Sequence, residues 1–235
     1  MARFVLVPGA WMGGWAWQEV ADHLVTQGHA AAPITYSSMD RGIGLDDHVA
    51  DVVHAIDVVD GEESGERAPV VLVGHSYGGL VAGLAVDRAR RRPDHTIYVD
   101  SPVPMGISML DAMPADVGAA VADQVAATGF WMPPSSEVLV DDGVGAATAE
   151  AAVGICVPHP GKTLQTPANT SVPPSEKAAT YIRCVSASGD YLSFAGVDEF
   201  KNSSKWDFLT IESGHWPMLS APSALGALLV RRVEN

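Results

Sequence analysis

The sequence predicts an α/β fold, a mostly parallel sheet of about six strands flanked by helices, and three observations predict it. Short apolar runs bounded by turn residues recur at 4–7, 30–36, 69–73, 96–99, 181–185 and 208–211. Continuous apolar runs of that length suit strands buried on both faces of a parallel sheet. Helix-like patterns lie between most of them, and alternating strand and helix implies right-handed crossovers. The alternation breaks once, between 102 and 175, and resumes near Tyr181.

Taken in order, the run 4–7 is followed by a helical pattern over 15–27 that stops at Gly28. After the strand 30–36, the pattern over 46–59 carries Val49, Val52, Val53 and Ile56 at helical spacing. The strand 69–73 leads into a helix over 79–92 that ends at Pro93, and 96–99 follows. The stretch 102–175 holds 10 of the 16 prolines, with short helix signals at 116–127 and 146–153. It is expected to be a small helical cap, a lid inserted after the strand ending near Asp100, with 1–101 and 176–235 forming the core. An excursion of this length in a compact domain is usually functional.

Composition narrows the function classes. The chain has 235 residues, 47 % of them hydrophobic and 18 % charged, which is a globular and not a disordered composition. Its 14 Lys and Arg against 28 Asp and Glu give a formal charge of −14. That excess of acid excludes a phosphate-tracking surface and disfavours anionic membranes. The one basic run, Arg88, Arg90, Arg91 and Arg92, falls at the expected end of a helix, where positive charge complements the helix dipole. Cys156 and Cys184 have no metal-ligand spacing and are expected to be buried thiols. The N-terminus enters a strand-like run, and no segment approaches the roughly 18 apolar residues of a membrane span. A soluble, cytoplasmic protein is the expectation.

Chemistry concentrates at Gly74-His75-Ser76-Tyr77-Gly78, a G-x-S-x-G sequence between a strand and a helix. That context is what a nucleophile elbow needs, because a sharp strand-to-helix turn exposes the serine and glycines allow the two elements to approach. A serine hydroxyl needs a base to take its proton. His215, in a loop just after the last strand, is the candidate, whereas His23, His29, His54 and His95 read as surface or satisfied core residues. The oxyanion formed by attack needs two donors. The backbone N–H groups of Tyr77 and Ala10 are in the right places, since Pro8 has no N–H to give.

The segments 4–17, 71–79 and 214–215, which include Pro8-Gly9-Ala10-Trp11 and Gly214-His215, together resemble the α/β-hydrolase superfamily. More narrowly, they resemble the compact branch of plant methylesterases, salicylate-binding esterase, hydroxynitrile lyases and their bacterial relatives. The resemblance implies an α/β-hydrolase fold, a Ser-acid-His triad, a helical cap, no metal and no cofactor. This chain departs from it in two ways. Pro8 stands where relatives usually carry histidine. An alignment on the strand 181–185 places the family's acid near Ala187, which cannot ionise. Asp190 could serve if Gly189 lets the loop bulge, Asp100 at the end of the preceding strand is the alternative acid, and Asp198 is a more distant candidate.

Trp11, Trp131 and Trp216 fall in three segments that converge over the elbow in this architecture, which favours an apolar or aromatic substrate pocket. No lysine flanks His215, unlike the hydroxynitrile lyases, so cyanohydrin cleavage is not expected. The leading expectation is a serine hydrolase that cleaves a small or medium, apolar or aromatic carboxylic ester or lactone through an acyl-enzyme on Ser76. Two other readings stay open. One is a non-hydrolytic biosynthetic enzyme (cyclase, lyase or dehydratase) with His215 in proton transfer, as in bacterial secondary metabolism, for which the arginine and alanine bias would fit a GC-rich bacterium. The other is a ligand-binding receptor on the same fold. The partner is a small molecule, with no nucleic acid or membrane, and a homodimer is left open.

Overall fold

The structure is a computed structural model describing residues 1–60, 68–187, 189 and 192–234. Its main sheet has six strands, all parallel: β1 (Arg3–Val7), β2 (Ala30–Pro33), β3 (Val70–His75), β4 (His95–Val99), β7 (Ala179–Val185) and β8 (Trp206–Glu212), in the order β2-β1-β3-β4-β7-β8. Burial explains the composition of the central strands. Every residue of β1 and β3 is buried, which favours apolar side chains on both faces, and Val and Leu supply most of them apart from Arg3 and His75 at the strand ends.

Helices α1 (Gln18–Thr26) and α10 (Pro222–Glu234) pack together, and α2 (Leu45–Asp60) packs on α3 (Tyr77–Arg88). A 3₁₀ turn over Gly14–Trp17 precedes α1, taking the first residues of the expected helix. α3 starts directly after Ser76 and stops at Arg88, earlier than the sequence suggests. Only Arg88 of the basic run is in its last turn. Arg90, Arg91 and Arg92 lie beyond it and meet Asp57, Asp94 and Asp87 at 3.5, 2.7 and 3.6 Å. Here ion pairing, and not the helix dipole, occupies them.

Residues 102–175 hold α4 (Met109–Ala112), α5 (Ala115–Thr128), α6 (Ser136–Asp141), α7 (Ala146–Ile155) and α8 (Gly161–Gln165). They also hold an antiparallel pair the sequence did not suggest, β5 (Phe130–Trp131) with β6 (His159–Pro160). The short α9 (Pro217–Ser220) precedes α10. Both cysteines are free thiols. Cys184 is buried as expected, whereas Cys156 caps the end of α7 and is only partly buried. No helix among the described residues is long and apolar enough to cross a membrane.

Candidate active site

In an all-parallel sheet the carboxyl ends of the strands share one edge, and side chains far apart in sequence meet there. Ser76 follows β3, Asp100 follows β4 and His215 follows β8. Ser76 sits at φ 51°, ψ −129°, a backbone conformation that costs energy for a residue with a Cβ. Its neighbours make the turn affordable. A Cβ on Gly74 would stand 2.6 Å from the carbonyl oxygen of Gly78 and 2.7 Å from Cα of Gly79, so only glycine lets strand and helix come this close. The Ser76 N–H donates to Val99 O at 3.1 Å and its carbonyl accepts from Gly79 at 2.9 Å.

The non-glycine residues with positive φ are Trp11 (65°), Ser76 (51°) and Asp100 (43°) among the described residues, and all three border this one site. Strain of that kind persists only where surrounding contacts over-determine it.

His215 joins the other two. Its Nε2 lies 3.0 Å from Ser76 Oγ and its Nδ1 lies 2.6 Å from Asp100 Oδ2. In the neutral ring with the proton on Nδ1, the imidazole donates to Asp100 and accepts from the serine hydroxyl. Asp100 is 1 % exposed, and its second oxygen accepts the Cys184 N–H at 3.3 Å. Asp190 lies outside the described residues. Asp198 is taken up by Arg183 at 2.6 Å and Lys201 at 2.9 Å on the surface. The carboxylate that meets His215 is thus the alternative acid of the sequence reading.

His75, inside the elbow motif, donates from Nε2 to the His215 carbonyl at 2.7 Å. Burial first, then the neighbouring His215, holds its pKa well below the usual value, which keeps the ring neutral and suited to this bond. The loop after β1 lies against the elbow. A Cβ on Gly9 would reach 2.8 Å from His75 Nδ1 and 3.1 Å from Ser76 Cβ, so glycine brings Ala10 beside the serine. Pro8 keeps its carbonyl oxygen on Tyr36 Oη at 3.0 Å. Tyr77 is the first residue of α3, where an N–H has no intrahelical acceptor.

A cavity of about 490 Å³ opens over Ser76 and His215, walled by Trp11, Trp131, Trp216, Met109, Met113 and Phe194. The Trp11 indole N–H donates to the Trp131 carbonyl at 2.9 Å, and the two rings lie 4.1 Å apart. All three tryptophans singled out in the sequence therefore line one wall system. A larger hollow of about 670 Å³, bordered by Asn169, Ser171, Glu199 and Asn202, contains none of Ser76, Asp100 and His215.

Sequence reasoning passed over His48, His75, His159 and Asp142. His48 Nδ1 lies 2.9 Å from Tyr77 Oη, with its ring stacked 4.0 Å from Tyr36, and the His159 ring stands 4.4 Å from Tyr77. These rings bury the side chain whose backbone begins α3. His75 had a signal in its position next to Ser76. The others had none, because their partners lie in distant segments.

The model of the alpha/beta hydrolase family matches residues 4–228. A carbendazim hydrolyzing esterase of Nocardioides sp. (strain SG-4G) is 35 % identical over 122 residues, 48 % of this chain and 48 % of that protein. Methylesterase 8 of Arabidopsis thaliana is 31 % identical over 109 residues, 43 % of this chain and 38 % of that protein. The chain spans about half the length of the curated relatives it matches, or less. Among solved structures, an extracellular alpha/beta-hydrolase from a Paenibacillus species, described as sharing structural and functional homology with tobacco salicylic acid binding protein 2, superposes with a TM-score of 0.74. It is 20 % identical and covers 98 % of both chains. A methylesterase protein from Arabidopsis superposes with a TM-score of 0.73 at 19 % identity, over 100 % of this chain and 99 % of that one. With the family match running over nearly all the chain and the six-stranded parallel sheet carrying a serine elbow, this chain belongs to the α/β-hydrolase family.

Proposed function

We propose that the protein is a serine hydrolase of carboxylic esters, acting on a small or medium apolar or aromatic ester or lactone. The observation that carries this reading is the continuous relay from Ser76 Oγ through the His215 ring to Asp100, at 3.0 and 2.6 Å. Relatives named carbendazim hydrolyzing esterase and methylesterase support it.

Ser76 Oγ attacks the ester carbonyl carbon while His215 Nε2 takes its proton. Asp100 stays ionised and stabilises the imidazolium through Nδ1. The carbonyl oxygen becomes an oxyanion, received by the N–H groups of Tyr77 and Ala10. The imidazolium then protonates the leaving alkoxide as the C–O bond breaks, leaving an acyl group on Ser76. Water attacks that acyl group and gives a proton to His215, which returns it to Ser76 as the carboxylic acid departs. The aromatic walls bind the apolar part of the substrate and exclude bulk water.

The alternative of lyase or cyclase chemistry draws its motive from the displacement of the acid from the position the family uses. Asp100 at the ring removes that motive. Hydrolysis of 4-nitrophenyl acetate by the wild type and its loss in Ser76→Ala is the test. A wild type that turns over no ester, or a variant as active as wild type, overturns the reading.

A further inference from the structure

The relay leaves one charged group around His215 without a role. Asp142 follows α6 in the 102–175 segment, 73 positions before His215 in the chain. Its Oδ2 accepts the backbone N–H of His215. The fit is tight enough that a Cβ on Gly214 would overlap the Asp142 carboxylate and carbonyl. The loop carrying His215 is therefore held from two sides, by His75 on its carbonyl and by Asp142 on its N–H.

Local energetics argue against a merely structural carboxylate here. Asp142 caps the carboxyl end of α6, where the helix presents its own carbonyls and a negative charge is unfavourable. Asp141 precedes it, and Asp142 and Glu212 both border a separate hollow of about 540 Å³ beside Gly214. No Lys or Arg is among the described residues lining the cavity or that hollow. Burial, acting more strongly than its hydrogen bonds and the neighbouring His215, pushes the Asp142 carboxyl above the usual carboxylate range. The cation that can offset this charge is His215 itself when it carries a second proton.

We propose that Asp142 is a positioning residue for His215, which clamps the histidine loop from the 102–175 segment and lends the ring a second negative neighbour beyond Asp100. The inference rests on the reading of His215 as the general base. Groups around the ring are Asp100 on Nδ1, Ser76 on Nε2, the neutral His75 ring 4.7 Å away, Asp142 behind the backbone, and Asp141 on the wall of the same cavity. The Cys184 N–H donates to Asp100, and burial followed by the Asp100 and Asp142 charges pushes its thiol up, so it adds no charge. A carboxylate this near favours imidazolium, the form His215 takes in each transition state.

The test is a titration of the His215 ring by ¹⁵N-edited NMR in the full-length wild type, Asp142→Asn and Asp142→Ala, with His215→Gln to assign the signal. Asparagine keeps an oxygen for the His215 N–H and removes only the charge. The expected result is a His215 midpoint lower by about one pH unit in both variants. The acid limb of kcat/KM for 4-nitrophenyl acetate should move by the same amount, with KM little changed in Asp142→Asn. A ring that titrates alike in wild type and Asp142→Asn overturns the proposal. Absence of ester turnover in the wild type overturns the hydrolase reading instead, and the NMR comparison still decides the role of Asp142.

Discussion

Asp100 Oδ2 lies 2.6 Å from Nδ1 of His215, although 115 positions separate the two residues. The sheet order explains the meeting. β4, β7 and β8 are adjacent and parallel, so the loop after β8 can reach across the end of β7 to the residue after β4. Asp100 takes φ 43°, and its other oxygen accepts the Cys184 N–H, which holds the carboxylate independently of the histidine.

Asp100→Asn should therefore lower kcat by about 10⁴ while leaving the fold intact, because an amide no longer selects the tautomer that the serine needs. Asp190→Asn should stay close to wild type. Initial rates on 4-nitrophenyl acetate with far-UV circular dichroism check both. The opposite ranking would move the acid to Asp190.

Trp131→Ala should raise KM for an aryl ester by about three- to tenfold, the worth of one aromatic contact. The change removes the ring but keeps the carbonyl that holds the Trp11 indole at 2.9 Å, so the opposite wall stays in place. Ethyl acetate should show a smaller effect, and comparing KM for the two esters measures it.

Stability should fall as pH drops below about 6.5, the ordinary histidine value. Burial lowers the pKa of His48, His75 and His159 and takes His95 down to about 4. Between the unfolded and folded values the unfolded chain binds more protons than the native one, so stability rises with pH across that window and is lost on acidification. Tm measured from pH 8 to pH 4.5 should decline, most steeply below pH 6.5. A flat profile would contradict the burial of these rings.

Asp142→Asn should show the reverse sign. A carboxyl raised in the native state binds its proton more readily there than in the unfolded chain, so its contribution to stability declines as pH rises through the native value. The variant should melt higher than wild type at pH 8, with the difference gone at pH 3. Scanning calorimetry at the two pH values decides it.

Local signals made the strands, the elbow and the histidine loop readable in the sequence, since each depends on a few consecutive residues. Ser76 stands between a buried strand and a helix that begins at the next residue, and that pattern is written in five letters. The acid was not readable. Loops after two neighbouring parallel strands can both offer a carboxylate to one imidazole, and spacing along the chain does not choose between them. Asp142 and His159 were hidden for a related reason, because their partners come from segments far away in the chain. The end of α3 was misjudged because Pro93 reads as the helix stop, and the helix ends before reaching it. The helix ends at Arg88, and nearby aspartates take the remaining arginines.

The central claim is that Ser76 is the nucleophile, and covalent labelling by a fluorophosphonate tests it most directly. Intact-mass spectrometry of the wild type should show one added phosphonyl group, mapped by digestion to the peptide containing Ser76, and Ser76→Ala should show none. Equal labelling of the two proteins, or a wild type that takes no label, would contradict the account.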